Sequence, residues 1–407
     1  MSTVLSTLAS RRIAVTLFLG FSSGLPFLAI GSTLQAWFTD AGLDLALIGA
    51  LALVKIPYNF KFLWAPLIDR YTIPWLGRRR GWMVITQLLL AVLFAALALL
   101  NPGQHLALIL CLAFLIAFVS ATQDIVLDAH RRDSLHDEEL GLGSSLFING
   151  YRIGMLLAGA GALFVAQVVS WPAAYLMIGA AMVVGILTTL IAPEPPSSAH
   201  APSTLRQAIV LPLKDFFVRI GVRQALVILL FILLYKLGDS LAATMTTPFI
   251  LNIGYTKIQL ASIAKTFGLA ATIAGGLIGG VLMLRLGIAK SLWIFGVLQA
   301  LSTLGFALLA TRGVEPMTLT WVVAFENLAS GMGTAAYAAF MASLCDRSFS
   351  ATQYALLSSF MSIPGTFLAG FSGILAASVG WPIFFVVCTA LAVPGMVLLC
   401  VIAPWRN

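Results

Sequence analysis

Apolar residues along this chain do not alternate with polar ones; they run in blocks of about twenty, separated by short segments rich in Gly, Pro and Arg. Coiled as an α-helix, a block of that length crosses the ~30 Å hydrocarbon core of a bilayer. The blocks predict helices at roughly 13–38, 43–66, 81–100, 105–127, 143–169, 172–192, 223–250, 257–282, 289–310, 317–344, 350–378 and 381–404. Spans of an outer-membrane barrel are alternating strands of ~10 residues, and lipid tolerates no third way of satisfying the backbone. The pattern therefore predicts an all-α polytopic membrane protein of twelve spans. The first block begins at Ile13, behind Arg11 and Arg12, and contains no small-residue cleavage site, so it reads as a retained helix and not a signal peptide.

The blocks fall into two sets of six. Gly154 to Gly159 reads GMLLAG and is followed by Trp171-Pro172; Gly365 to Gly370 reads GTFLAG and is followed by Trp381-Pro382, an offset of 211 and then 210 residues. Gly42 and Gly254, before the second and eighth blocks, are 212 apart. A nearly constant offset marks an internal repeat. The domains expected are a six-helix bundle over 1–192, a cytoplasmic linker over 193–222 and a second bundle over 223–407. The linker opens with Pro193-Glu194-Pro195-Pro196, and its amphipathic later part could lie along the membrane surface, with Pro212 expected to break any helix there. Parallel six-span repeats are the arrangement of major-facilitator transporters, whose substrate site lies between the halves near the midplane.

Composition adds orientation. Of the 407 residues 60% are hydrophobic and only 9% charged, with mean hydropathy +1.01, which excludes a water-soluble globule. The net charge of +8 is explained by topology and not by nucleic acid. Sixteen basic residues (Arg11, Arg12, Arg70, Arg78, Arg79, Arg80, Arg131, Arg132, Arg206, Lys214, Arg219, Arg223, Arg285, Lys290, Arg347 and Arg406) fall in the N-terminus, the even-numbered loops and the C-terminus. Only Lys257 and Arg312 fall in the odd-numbered loops. By the positive-inside rule both termini should be cytoplasmic. Asp69-Arg70 followed by Gly77-Arg78-Arg79-Arg80 resembles the major-facilitator loop motif, and a fainter copy with Arg285 sits in the second half. That resemblance implies a cytoplasmic gate made of Asp69, Arg70, Arg78, Arg79 and Arg285.

The costliest residues are the charges inside predicted spans: Lys55, Lys61, Asp124, Arg152, Lys236, Asp239, Lys265 and Glu326. Each costs roughly 2.5–3.5 kcal/mol at a helix centre, so even after those near a span end are discounted they cost on the order of 10 kcal/mol or more together. Residues that expensive line a water-filled path or pair with one another. Lys236 and Asp239 are one turn apart and can pair. Asp128 lies one turn beyond Asp124 and could instead pair with Arg131 or Arg132. Glu326 is the only carboxylate deep in the tenth span. Asp124, Asp239 and Glu326 are therefore the candidate proton carriers. Lys61, Arg152, Lys236 and Lys265 leave a basic surplus, which predicts an anionic substrate.

Other signals carry less. Gly20-Phe21-Ser22-Ser23-Gly24 matches a hydrolase nucleophile elbow, but it lies inside a span and reads as helix packing, as do the GxxxG spacings at Gly275 to Gly280. The four cysteines form no CxxC, and the sequence has no HExxH, Walker loop or zinc spacing. No cofactor, metal or enzymatic activity is expected.

Taken together, GFSSGLPFLAIGSTLQAW from Gly20, FKFLWAPLIDRY from Phe60, LGRRRGW from Leu76, ATQDIVLDA from Ala121, GYRIGM from Gly150, LYKLGD from Leu234, KTFGLAATI from Lys265, FENLASGMGT from Phe325 and LCDRSFSATQYALLS from Leu344 resemble the AmpG-type muropeptide permeases. The resemblance covers nearly the whole chain. It implies proton-driven import of anhydro-muropeptides across a bacterial inner membrane for peptidoglycan recycling and, in some bacteria, induction of β-lactamase, with no cofactor. Asp124 falls on the family's ATQD-type carboxylate, and Arg152, Lys236, Asp239, Lys265 and Glu326 on its charged positions. The stem peptide's carboxylates would suit the basic surplus, and the sugars Gln123, Asn149, Tyr151 and Asn327. The expected partners are muropeptide, protons and lipid, with the protein acting as a monomer. Longer family members carry further apolar segments, without which the transport core is expected to stand. Lys55 departs from the family pattern and is expected to reshape selectivity near Lys61. Two other readings remain: a related importer of another cargo such as a siderophore, and a non-transporting sensor or membrane-embedded enzyme.

Overall fold

The computed structural model describes residues 10–44, 51–73, 76–195, 204–363 and 369–403. In chain order its main helices are α1 (Arg11–Leu28), α2 (Leu34–Asp40), α3 (Ile56–Phe60), α4 (Ala65–Arg70), α5 (Arg80–Ala98), α6 (Pro102–Ser134), α7 (Leu140–Leu156), α8 (Ala162–Val168) and α9 (Trp171–Ile191). They continue as α10 (Leu205–Ile220), α11 (Val222–Leu234), α12 (Leu237–Asn252), α13 (Gly268–Arg312), α14 (Pro316–Leu344), α15 (Ser350–Ile363), α16 (Ala369–Val379) and α17 (Trp381–Ile402). Among the described residues there is no strand, only an isolated bridge between Ile73 and Gly77. Among the described residues eight continuous helical runs are long and apolar enough to cross a membrane, and one of them, Ser262–Arg312, holds two predicted spans.

Two expectations need correction. The second block is not one helix: 3-10 turns at Leu51–Lys55 and Lys61–Leu63 alternate with short α3 and α4. Pro57 and Pro66 stand in the first turns of α3 and α4, where the absent amide costs no intrahelical bond, whereas a helix continued from before either proline would need that amide, so the segment restarts at each. Conversely Pro212 does not break the linker helix; α10 runs through it. A carbonyl is still used there, since Gln353 Nε2 donates to Pro212 O at 3.0 Å.

The chain forms two compact units. The first is Met1–Lys214 with Leu344–Ser359, and the second is Asp215–Ser343 with Phe360–Asn407. In the first, α1 crosses α7 at backbone contact. A methyl placed on Gly20 or Gly24 would stand 2.0 Å from the carbonyl oxygen of Phe147 or Tyr151, and one on Gly150 would stand 1.9 Å from that of Leu17. The elbow-like GFSSG is thus a packing surface, where small residues let two helices touch in a solvent that supplies no hydrophobic drive between them. Gly275 and Gly331 give α13 and α14 the same close approach in the second unit.

The repeat is legible in the geometry of each unit. Trp171 Nε1 donates to Asp40 Oδ2 at 2.8 Å, and Trp381 Nε1 donates to Asn252 Oδ1 at 2.7 Å. Beside each indole lies a close aromatic pair, Trp37 tilted against Tyr175 at 5.1 Å and Phe249 edge-to-face with Phe385 at 4.8 Å. Left-handed turns recur too: Gly42 (φ 71°) answers Gly254 (φ 107°), and Gly77 (φ 89°) answers Gly287 (φ 74°). Gly287 bends α13 between the eighth and ninth predicted spans.

Candidate functional site

In the first unit the buried charges gather around α6. Ser23 Oγ, on α1, donates to Asp124 Oδ1 at 2.5 Å. One turn along α6, Asp128 pairs with Arg131 Nη2 at 3.0 Å and faces Lys61 Nζ at 3.8 Å. Asp128 is therefore shared between the interfacial arginine foreseen for it and a lysine from the broken second segment. Gln123 Nε2 donates to Ser22 Oγ at 3.2 Å, while its Oε1 and both side-chain polar atoms of buried Asn149 have no hydrogen-bond partner among the described residues. Tyr151 and Arg152 follow on α7, both half-buried, and the Tyr151 ring lies 6.3 Å from that of Phe27.

In the second unit Lys236 stands at the break between α11 and α12, with φ −106° and ψ 7°, and Asp239 is in the first turn of α12. The helix dipole favours a carboxylate there, and Lys236 Nζ completes the pair at 2.9 Å. Glu326 Oε2 accepts from Ser302 Oγ at 2.5 Å and from Thr303 Oγ1 at 3.4 Å. Lys265, on a π-helical turn at Leu260–Phe267, donates to Thr247 Oγ1 at 2.8 Å. Asn327 Oδ1 accepts from Thr272 Oγ1 at 2.8 Å. Asp239, Lys265, Glu326 and Asn327 line one cavity of about 190 Å³ together with Thr246 and Thr247. Four residues picked from sequence for their charge or amide thus share one polar chamber, and Lys236 reaches it through Asp239.

The loop before α5 is an ionic cluster. Asp69 Oδ1 accepts from Arg78 Nη2 at 3.1 Å and from Arg79 Nη2 at 2.9 Å, and Arg79 Nε donates to Asp133 Oδ2 at 2.9 Å. Burial alone would favour an uncharged Arg79, but Asp133 and Asp69 outweigh it and hold the guanidinium protonated above its usual range. Segment Leu344–Ser359 is bound to the same cluster. Arg78 Nη2 donates to Ser348 O at 2.7 Å, Arg79 Nη2 to Ser350 Oγ at 2.8 Å, and Thr352 N to Asp69 Oδ2 at 2.8 Å. Arg70 lies over the Tyr71 ring at 5.4 Å, and neither Arg70 nor Arg285 makes an ion pair among the described residues.

Several members of this cluster escape sequence reasoning. Arg132 Nε donates to Cys345 O at 2.9 Å, and Arg347 Nη2 returns the contact to Leu135 O at 3.1 Å. Arg131 Nη2 donates to Tyr354 Oη at 2.8 Å. Glu194 accepts from the amides of Arg79 at 2.9 Å and Arg80 at 3.1 Å, so the linker's first carboxylate caps α5. The one available signal was the repeat itself, since Leu135 and Arg347 stand 212 positions apart.

Against known proteins, residues 13–369 match the family model described as Major Facilitator Superfamily. The anhydromuropeptide permease of Escherichia coli (strain K12) is 46% identical over 392 residues, which cover 96% of this chain and 79% of that one. A Haemophilus influenzae protein of uncharacterized role is 42% identical over 99% of this chain and 97% of its own. An AmpG-type transporter of Rickettsia conorii is 35% identical over 95% of each. Among solved structures, the proton:xylose symporter XylE superposes with a TM-score of 0.74 at 10% identity, covering 97% of this chain and 95% of that one, a likeness of fold alone.

Proposed function

The chain belongs to the AmpG-type permease family of the major facilitator superfamily, and from that membership we propose that it imports anhydro-muropeptides from periplasm to cytoplasm by proton-coupled alternating access. It is a transporter and not an enzyme. The topology that goes with this role is twelve spans, two six-helix halves over 1–192 and 223–407 joined by a linker over 193–222, and both termini in the cytoplasm. The membrane is the bacterial inner membrane, and the working form is a monomer.

The structural observation that supports the reading is the placement of buried charges in each unit. Asp124, held by Ser23 at 2.5 Å, has basic Lys61 nearby through Asp128. Asp239 and Glu326 face one chamber with Lys265. Asp124, Asp239 and Glu326 carry the coupled proton; Lys61, Arg152, Lys236 and Lys265 attract the peptide carboxylates; and Gln123, Asn149, Tyr151 and Asn327 bind the sugar and amide groups. Each proton moving inward gains about 2.3 kcal/mol per 100 mV. Asp69, Arg78 and Arg79 hold Leu344–Ser359 at the cytoplasmic side, and release of those bonds accompanies opening to the cytoplasm; Arg70 and Arg285 are the remaining members of the proposed gate. Uptake of labelled anhydro-muropeptide by proteoliposomes tests the assignment. Uptake blocked by excess unlabelled muropeptide supports it, and uptake of an unrelated cargo such as a siderophore in its place overturns it.

A further inference from the structure

We propose that Lys55 is a binding subsite for a carboxylate of the transported ligand, distinct from the Asp124 cluster and lying on its Asp40 side. The inference rests on the transport reading above and adds to it a contact that sets specificity.

Lys55 ends the 3-10 turn Leu51–Lys55, and Lys61 begins the next, Lys61–Leu63. The short α3 (Ile56–Phe60) separates the two lysines and carries Tyr58. Lys61 is neutralised, since it faces Asp128 at 3.8 Å. Lys55 is not: among the described residues no carboxylate lies within ion-pair distance of it. Its ammonium stands instead 4.0 Å from the centroid of the Phe27 ring. The same ring receives Tyr58 edge-on at 5.5 Å and Tyr151 at 6.3 Å.

A lysine present only to tolerate the membrane runs its stem along apolar surface and sends its head to water. Lys55 does the opposite. It is half-buried and turned against α1, at the point where that helix breaks in the π turn Ala29–Thr33. Gly31, with φ −97° and ψ −112°, supplies the space, because a methyl there would lie 2.6 Å from Lys55 Nζ. A ring face returns only part of the hydration an ammonium loses, so the site is built for a cation and lacks its anion. A single compact ammonium without a guanidinium fork or a cluster of amides suits one carboxylate better than a phosphate. Gly31 is eight residues along the helix from Ser23, or about 12 Å toward Asp40. The ligand's carboxylate and the proton site are therefore addressed separately, as a long peptide-bearing ligand requires.

The test compares the wild type, Lys55→Met and Lys55→Arg in proteoliposomes matched for inserted protein. Two labelled probes are used: an anhydro-muropeptide with free peptide carboxylates and the same molecule with those carboxylates amidated. Losing one charge-assisted hydrogen bond predicts that Lys55→Met raises KM for the free acid about tenfold or more while leaving KM for the amide unchanged, and that Lys55→Arg restores most of the difference. Equal effects of Lys55→Met on both probes, or none on either, overturn the subsite and leave the transport reading standing. Failure of the wild type to take up either probe overturns the transport reading and the subsite with it.

Discussion

Thr352 donates to a single oxygen of Asp69 twice, from its amide at 2.8 Å and from its hydroxyl at 2.7 Å. The two residues are 283 positions apart, and Asp69 serves α15 as an N-terminal cap while its other oxygen takes Arg78 and Arg79. A carboxylate at a helix N-terminus is favoured by the dipole and by the free amides there. One side chain thus joins the charged loop before α5 to the segment that opens the eleventh predicted span.

Asp69→Asn keeps the shape but leaves Arg78 and Arg79 without that charge. Loss of one partner from a buried ionic cluster costs about 3–5 kcal/mol. The native Cys345 is buried beside this cluster and its carbonyl accepts from Arg132, whereas Cys111 and Cys400 are exposed. In a background with Cys111 and Cys400 replaced by Ser, a maleimide applied from the cytoplasmic side should label Cys345 at least about tenfold faster in Asp69→Asn than in the parent. Unchanged labelling would separate Asp69 from gating.

Asp124→Asn should insert normally and lose proton-driven uptake. Ser23→Ala removes only the hydroxyl that donates to Asp124. It should keep measurable uptake, with a loss bounded by the roughly 1.5–3 kcal/mol of a hydrogen bond to a charged group. Normal accumulation by Asp124→Asn would remove it from the proton path.

Lys236 and Asp239 neutralise one another at 2.9 Å with both side chains largely covered. Lys236→Met or Asp239→Asn alone strands a buried charge and should destabilise the protein by about 3–5 kcal/mol, whereas the double variant should regain much of that loss. Thermal unfolding in detergent reads the stability. Uptake should stay low in the double variant if the pair works in transport, and return with stability if the pair only eases insertion.

Gly150→Leu tests the α1–α7 crossing. Its side chain would enter the carbonyl of Leu17 and the amide of Phe21, both backbone atoms that no rotamer change can move. The variant should fail to accumulate as folded protein in the membrane, while Gly373→Leu, where nothing among the described residues stands within 4 Å, should accumulate as the wild type does.

Much of this was legible in the sequence because lipid punishes polarity so heavily. Lys236 with Asp239, and Glu326 with Lys265, stood out as charges in apolar blocks, and the structure gathers Asp239, Glu326 and Lys265 at one chamber with Lys236 paired to Asp239. Trp171-Pro172 and Trp381-Pro382 announced the repeat, and their indoles make matching bonds. What stayed hidden lacks local pattern. Arg132 and Arg347 looked like topogenic charges, yet each donates to a backbone carbonyl more than 200 positions away. Glu194 looked like part of a linker, but it caps α5. The second block was misread as one helix because hydropathy is blind to Pro57 and Pro66, whose missing amides decide its geometry.

Coupling of muropeptide movement to protons through the buried carboxylates is the central claim, and uptake in vesicles with and without an imposed pH gradient tests it most directly. An outside-acid gradient should drive labelled anhydro-muropeptide to accumulate above its external concentration, and a protonophore should collapse that accumulation to equilibration. Accumulation indifferent to the gradient, or entry that never exceeds the external concentration, would contradict it.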